Sequence, residues 1–166
     1  MKIKKILKNT TLLLLILTFA LSAALIGGCA KRGTEEPSFA EDVAEKILIS
    51  INKNDYESIK EYLNEDFKSS LKNMVNIENE NKPFGVEADG FNIGIAKALK
   101  DKIGEYTEGS IVFDRTLTEK GYTSVFYITK FAKETSGDVL YQLVFQEVSG
   151  KWLVGGMWFS SKTLQQ

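Results

Sequence analysis

"DVLYQLVFQEVSGKWLVGGMWF", residues 138–159, decides the fold. Val139, Tyr141, Leu143 and Phe145 alternate with Leu140, Gln142, Val144 and Gln146. A period of two puts the first set on one face of a β-strand and both glutamines on the other. Slipping the register by one residue would bury both amides, at roughly 1–3 kcal/mol for each left without a partner. The pattern therefore predicts that Tyr141, Leu143 and Phe145, joined by Trp152 from the next strand, pack inward, while Gln142 and Gln146 point away. Ser149-Gly150 is a short link, which makes "KWLVGGMWFSS" (151–161) an antiparallel neighbour. Gly155-Gly156 within that strand signals a bulge or sharp bend.

The same character extends back to residue 105. Eleven of the 18 aromatic residues lie beyond residue 104, and aromatic enrichment between turn signals is a strand signature. "GSIVFDRTLT" (109–118) and "YTSVFYITKFAK" (122–133) complete a four-stranded or slightly larger antiparallel sheet, with turns at Lys120-Gly121 and Ser136-Gly137. Before residue 105 the period is helical. Ser38 and Glu41 have capping-box spacing, and Phe39, Val43, Ala44, Ile47, Leu48 and Ile51 recur on one helical face to about Lys53. Asn54-Asp55 breaks that helix. A short one follows with Tyr56, Ile59, Tyr62 and Leu63 on one side, then a third with Phe67, Leu71, Met74 and Val75. Residues 78–90 read as a loop around Pro83, Gly85 and Gly90. A last helix starts near Ile93, although Gly94 costs it about 1 kcal/mol against alanine. Helices first and an antiparallel sheet afterwards make one α+β domain over residues 38–162, with a short tail at 163–166.

Two resemblances follow from these residues. "AEKILISINKNDYESIKEYLNEDFK" (44–68) and the hairpin around Gly150, Lys151 and Trp152 resemble the nuclear transport factor 2-like superfamily. That resemblance implies helices capping a curved, cone-shaped sheet around an apolar pocket, lined here by Tyr62, Tyr127, Tyr141, Leu143, Phe145 and Trp152. It also implies that the outer sheet face can pair two copies as a homodimer. Some members are enzymes, such as ketosteroid isomerase and scytalone dehydratase, and many only bind a ligand or partner, so the fold does not carry the function.

The second resemblance lies at the N-terminus. Lys2, Lys4, Lys5 and Lys8 precede an uncharged run at 11–28, the layout of a secretory signal peptide. Eighteen uncharged residues are also the lower edge of a membrane span, and either reading exports the rest of the chain. "LIGGC" (25–29) resembles the lipobox of bacterial lipoproteins, with aliphatic Ile26, small Gly27 and Gly28, then Cys29. The resemblance implies cleavage after residue 28 and acylation of Cys29 by fatty acids such as palmitate, which anchor the chain to the membrane. Residues 29–37 then read as the lipidated cysteine and a flexible tether, with the domain on the extracytoplasmic side of the cell envelope.

Cys29 is the only cysteine, so the domain has no disulfide to rely on. Removing the four leader lysines shifts the formal charge from −1 to −5, which argues against a nucleic-acid partner. The chain contains no histidine. That excludes Ser-His-Asp triads and His-based zinc sites, and no phosphate loop, dinucleotide fingerprint or calcium loop is present, so no cofactor is assigned. Carboxylate and phenol chemistry remains, with Asp114 beside Tyr127, Tyr141 or Tyr62 as the candidate set. Asp114 next to Arg115 more often marks a solvated face, and a tyrosine on a half-buried sheet more often packs its ring. The favoured expectation is a membrane-tethered, non-enzymatic domain that binds an apolar small ligand, a peptide or an envelope protein. The alternative is a pocket enzyme of isomerase or dehydratase type.

Overall fold

The computed structural model describes residues 31–77, 80–135 and 137–166. Residues 1–30, including the leader and Cys29, lie outside the described residues, as does Ser136 of one expected turn. The elements run β1 (Lys31–Gly33), α1 (Glu41–Lys53), a 3-10 turn (Lys60–Tyr62), α2 (Glu65–Asn73), β2 (Val75–Asn76) and β3 (Lys82–Pro83). A composite helix α3 follows, built from Glu87–Asp89, a π-helical Gly90–Lys97 and Ala98–Ile103. The chain then forms β4 (Val112–Glu119), β5 (Tyr122–Thr129), β6 (Val139–Val148) and β7 (Lys151–Ser160). The fold is α+β: three helices on one antiparallel sheet of order β1-β4-β5-β6-β7, with β2 and β3 as a separate small hairpin.

The sheet follows from turn chemistry and alternation. Lys120 and Gly121, and again Ser149 and Gly150, both have positive φ, which matches the right-handed twist of a two-residue hairpin. On β6, Val139, Tyr141, Leu143 and Phe145 are fully buried against the helices. Gln142 and Gln146 face the other way, although both are half-buried rather than free in water. Gln142 donates to Ser124 Oγ at 3.2 Å, and Gln146 Oε1 accepts from Asn64 Nδ2 at 3.2 Å. The Gly155-Gly156 signal is a bulge: Val144 pairs with Gly156 and Phe145 with Val154. An added Cβ at Gly155 would come within 3.0 Å of Asn64 Nδ2, so the missing side chain leaves room for that amide.

The helices bury one face each. Val43, Ala44, Ile47, Leu48 and Ile51 of α1, Leu71 of α2, and Phe91, Ala96, Leu99 and Ile103 of α3 close over the sheet. Each fully buried aliphatic side chain contributes about 1.5–3 kcal/mol. Asn54 ends α1 in the left-handed conformation, with its N–H turned back to the helix carbonyls. Asn64 begins α2 by accepting from the Phe67 N–H at 2.8 Å.

Four expectations are corrected. The capping box at Ser38 and Glu41 does not form; Ala40 occupies the cap position without a side-chain bond. Its N–H closes a turn on the Pro37 carbonyl at 2.9 Å, and that turn directs Phe39 onto the core. Residues 60–62 make a 3-10 turn rather than a short α-helix. The final helical run begins at Glu87, not near Ile93, and passes through a π-helical stretch. A Cβ at Gly90 would lie 2.0 Å from the Leu71 carbonyl oxygen, so glycine there lets α3 cross α2 closely. Finally, Lys31–Gly33 is not tether but an edge strand paired with Thr116–Thr118 of β4. Gly33 permits that pairing, because a Cβ would meet Thr116 Oγ1 at 2.2 Å.

Candidate functional site

The inner face of the sheet is closed at one end and polar at the other. At the closed end Phe39 stacks on Trp152 at 4.4 Å between ring centroids and meets Phe145 edge-on at 5.2 Å. Further along, Tyr141 stacks on Phe159 at 4.8 Å and lies 5.9 Å from the Tyr127 ring. Aromatic side chains of the sheet, with Phe39 from the turn before α1, thus pack on one another along its inner face.

The other end holds a cavity of about 90 Å³ lined by Glu36, Glu41, Glu45, Ile111, Phe113 and Tyr127. Glu41 and Glu45 lie one turn apart at the start of α1 and so share a face. Phe113 on β4 pairs with Tyr127 on β5, and their rings meet edge-on at 6.3 Å. Glu36 reaches in from the segment between β1 and α1.

Glu45 Oε1 is held by the Gly109 N–H at 3.1 Å and the Tyr106 hydroxyl at 3.3 Å. Tyr127 is only 1% exposed, and the carboxylate beside its hydroxyl is that of Glu36. Burial first, then a hydrogen bond to the Glu36 carboxylate and the charge it carries, hold the Tyr127 phenol far above its ordinary value. The phenol is therefore a neutral group facing several acceptors. Tyr141 is also held protonated by burial, and its hydroxyl lacks a partner among the described residues.

Among the six residues expected to line a pocket, Tyr127 lines this cavity. Tyr141, Leu143 and Phe145 are fully buried core, and Trp152 packs on Phe39. Tyr62 is elsewhere, accepting from Lys46 Nζ at 2.8 Å. Asp114 sits at the β4 bulge, ion-paired with its neighbour Arg115, whose guanidinium covers the Phe126 ring. The structure therefore does not assemble Asp114 and Tyr62 with the two buried phenols. The carboxylate it brings to Tyr127 is Glu36, which the sequence had assigned to the tether. The only sequence sign of the acidic wall was the one-turn spacing of Glu41 and Glu45 beside the buried stripe of α1.

Among the described residues no group of three or more His, Cys, Asp or Glu converges to hold a metal ion, and no helix is long and apolar enough to cross a membrane. A surface hollow by Lys100, Gly104 and Lys133 has its ammonium groups committed. Lys100 donates to Asn52 O and Asn54 Oδ1, and Lys133 to Lys100 O. Comparison with protein-family models, curated proteins and solved structures finds no match to the chain.

Proposed function

We propose that the chain is an exported lipoprotein, anchored to the membrane by acyl chains on Cys29, whose nuclear transport factor 2-like domain binds a partner without transforming it. The observation carrying the anchor is the sole cysteine directly behind the Ile26-Gly27-Gly28 run. The order of helices before a bulged antiparallel sheet supports the family reading.

Binding is favoured over catalysis by size. A cavity of about 90 Å³ falls well short of the roughly 300–1,000 Å³ of sites that enclose a whole small molecule. The Tyr127 and Glu36 pair is the one feature that favours the acid/base alternative, but a ring-sized substrate has no room beside it. A protruding group of a larger peptide, protein or lipid partner fits better than an enclosed apolar molecule.

The test is Cys29→Ser in cells given a labelled fatty acid. The variant is expected to lose the label and accumulate as an uncleaved precursor. Acyl labelling that persists in the variant would sink the anchor.

A further inference from the structure

We propose that the turn end of the sheet's outer face, with Arg32, Lys120, Tyr122, Val148 and Lys151, lies in the headgroup layer of the membrane. Resting on the Cys29 anchor proposed above, this contact holds the domain on the bilayer in one orientation. The shortness of the leash carries it. Ala30 alone separates Cys29 from Lys31, where β1 is already paired with Thr118 of β4. Two extended residue steps span at most about 7 Å. The polar layer of one leaflet is about 5–8 Å thick, half the difference between a whole bilayer and its hydrocarbon core. Acyl chains on Cys29 enter that core, so a leash of this length crosses the headgroups and goes no further. A tether running to Pro37 would span up to about 29 Å and let the domain clear the surface.

Strand register shows which end is brought down. Lys31 lies opposite Thr118, one residue before the end of β4 and beside the Lys120-Gly121 turn. The Ser149-Gly150 turn closes the same end, because Tyr122 at the start of β5 pairs with Gln146 near the end of β6. Tyr122 and Val148 are 46% and 39% exposed there, on the face that they share with Gln146, away from the helices. Arg32 joins that face opposite Leu117, and Lys120 and Lys151 flank it from the two turns; all three are exposed. A tyrosine, with its apolar ring and polar tip, suits the membrane interface, and cations beside it attract lipid phosphates. The acids at this end oppose that little. Glu119 is paired with Lys120 at 3.6 Å, and Glu147 alternates onto the opposite face. Exposure alone would not choose this end, since Val112 is 61% exposed on the same face, opposite Ile128. Ile128 is about 20 Å along β5 from Tyr122, so Val112 lies beyond the reach of the leash. The cavity between Phe113 and Tyr127 lies at that far end too, on the side away from the bilayer.

The acylated full chain would be placed in phosphatidylcholine vesicles containing phosphatidylglycerol and a lipid with a nitroxide headgroup. Acylation blocks Cys29, so Tyr122→Cys, Val148→Cys and Val112→Cys each offer one thiol to a fluorophore. The labels at 122 and 148 should be quenched several-fold more strongly than the label at 112. A Gly-Ser insertion of about ten residues after Ala30 adds roughly 16–19 Å of mean reach and should narrow that difference. A difference left intact by the insertion would overturn the leash as its cause. Equal quenching at all three positions, or stronger quenching at 112, would overturn the proposal itself. So would self-quenching between labelled copies without quenching by lipid, which places a second chain on this face. Fatty-acid labelling and flotation of the parent chain with the vesicles are read first. A chain that is acylated and floats but shows no difference loses the orientation and keeps the anchor; one that is not acylated loses both.

Discussion

Phe145 and Tyr141 lie four residues apart on the same face of β6, both fully buried, and their surroundings are opposite. Phe145 is met by Phe39, itself stacked on Trp152, so every ring there is apolar or rim-exposed. Tyr141 is stacked on Phe159 and lies beside Tyr127, and its hydroxyl enters the core without a partner among the described residues. One end of the sheet is built for packing. The other accepts a polar cost, and the acidic cavity lies at that end.

Breaking the packed end gives the largest effect. Phe145→Ala should destabilise by about 3–5 kcal/mol, from lost burial plus the cavity left under Phe39. Urea melts measure it, and a loss below about 1 kcal/mol would show that the core collapses around the gap or was never tightly packed.

At the polar end the sign reverses. Tyr141→Phe removes an oxygen that nothing in the described residues bonds, and should stabilise by about 1 kcal/mol. A loss of similar size in Tyr141→Phe would mean that its hydroxyl is satisfied after all, for example through an ordered water, and the contrast between the two ends would weaken.

The packed end is also the part that the sequence foretold. Alternation along residues 139–146, the glycine turns and the Gly155 signal each act locally, so strands β4 to β7 and the bulge were legible. Elements set by close approach were not. Lys31–Gly33 shows no alternation, and its place depends on Gly33 fitting against Thr116. The π-helical stretch departs from the 3.6-residue period, and the reason glycine stands at 90 is a carbonyl on another helix. The cavity was hidden for the same reason. Tyr127 could be placed on the inner sheet face, but Glu36 joins it only because β1 pairs with β4, the neighbour of β5, and the chain then leaves β1 toward α1. No spacing in the sequence encodes that pairing.

The smallest effect concerns the outer face at the packed end. Alternation alone makes Gln146 a surface residue, for which Gln146→Ala should change stability by less than about 0.5 kcal/mol. The structure raises that figure. Gln146 Oε1 accepts from Asn64 Nδ2, at the point where the Asn64 N–H bonds the Val154 carbonyl at 2.9 Å. Asn64 is only 6% exposed and its Oδ1 is already committed to the Phe67 N–H at the start of α2. Removing Gln146 therefore leaves a nearly buried amide short of one acceptor, and it loosens the joint between α2 and the bulged edge of β7. The expected loss is about 0.5–1 kcal/mol, a typical net hydrogen bond with partial access to water. A double-mutant cycle with Asn64→Ala isolates the term, because Asn64→Ala alone also removes the helix cap, worth about 1 kcal/mol. Additive single losses would show that the two amides do not interact, leaving Gln146 the plain surface residue that its alternation suggests.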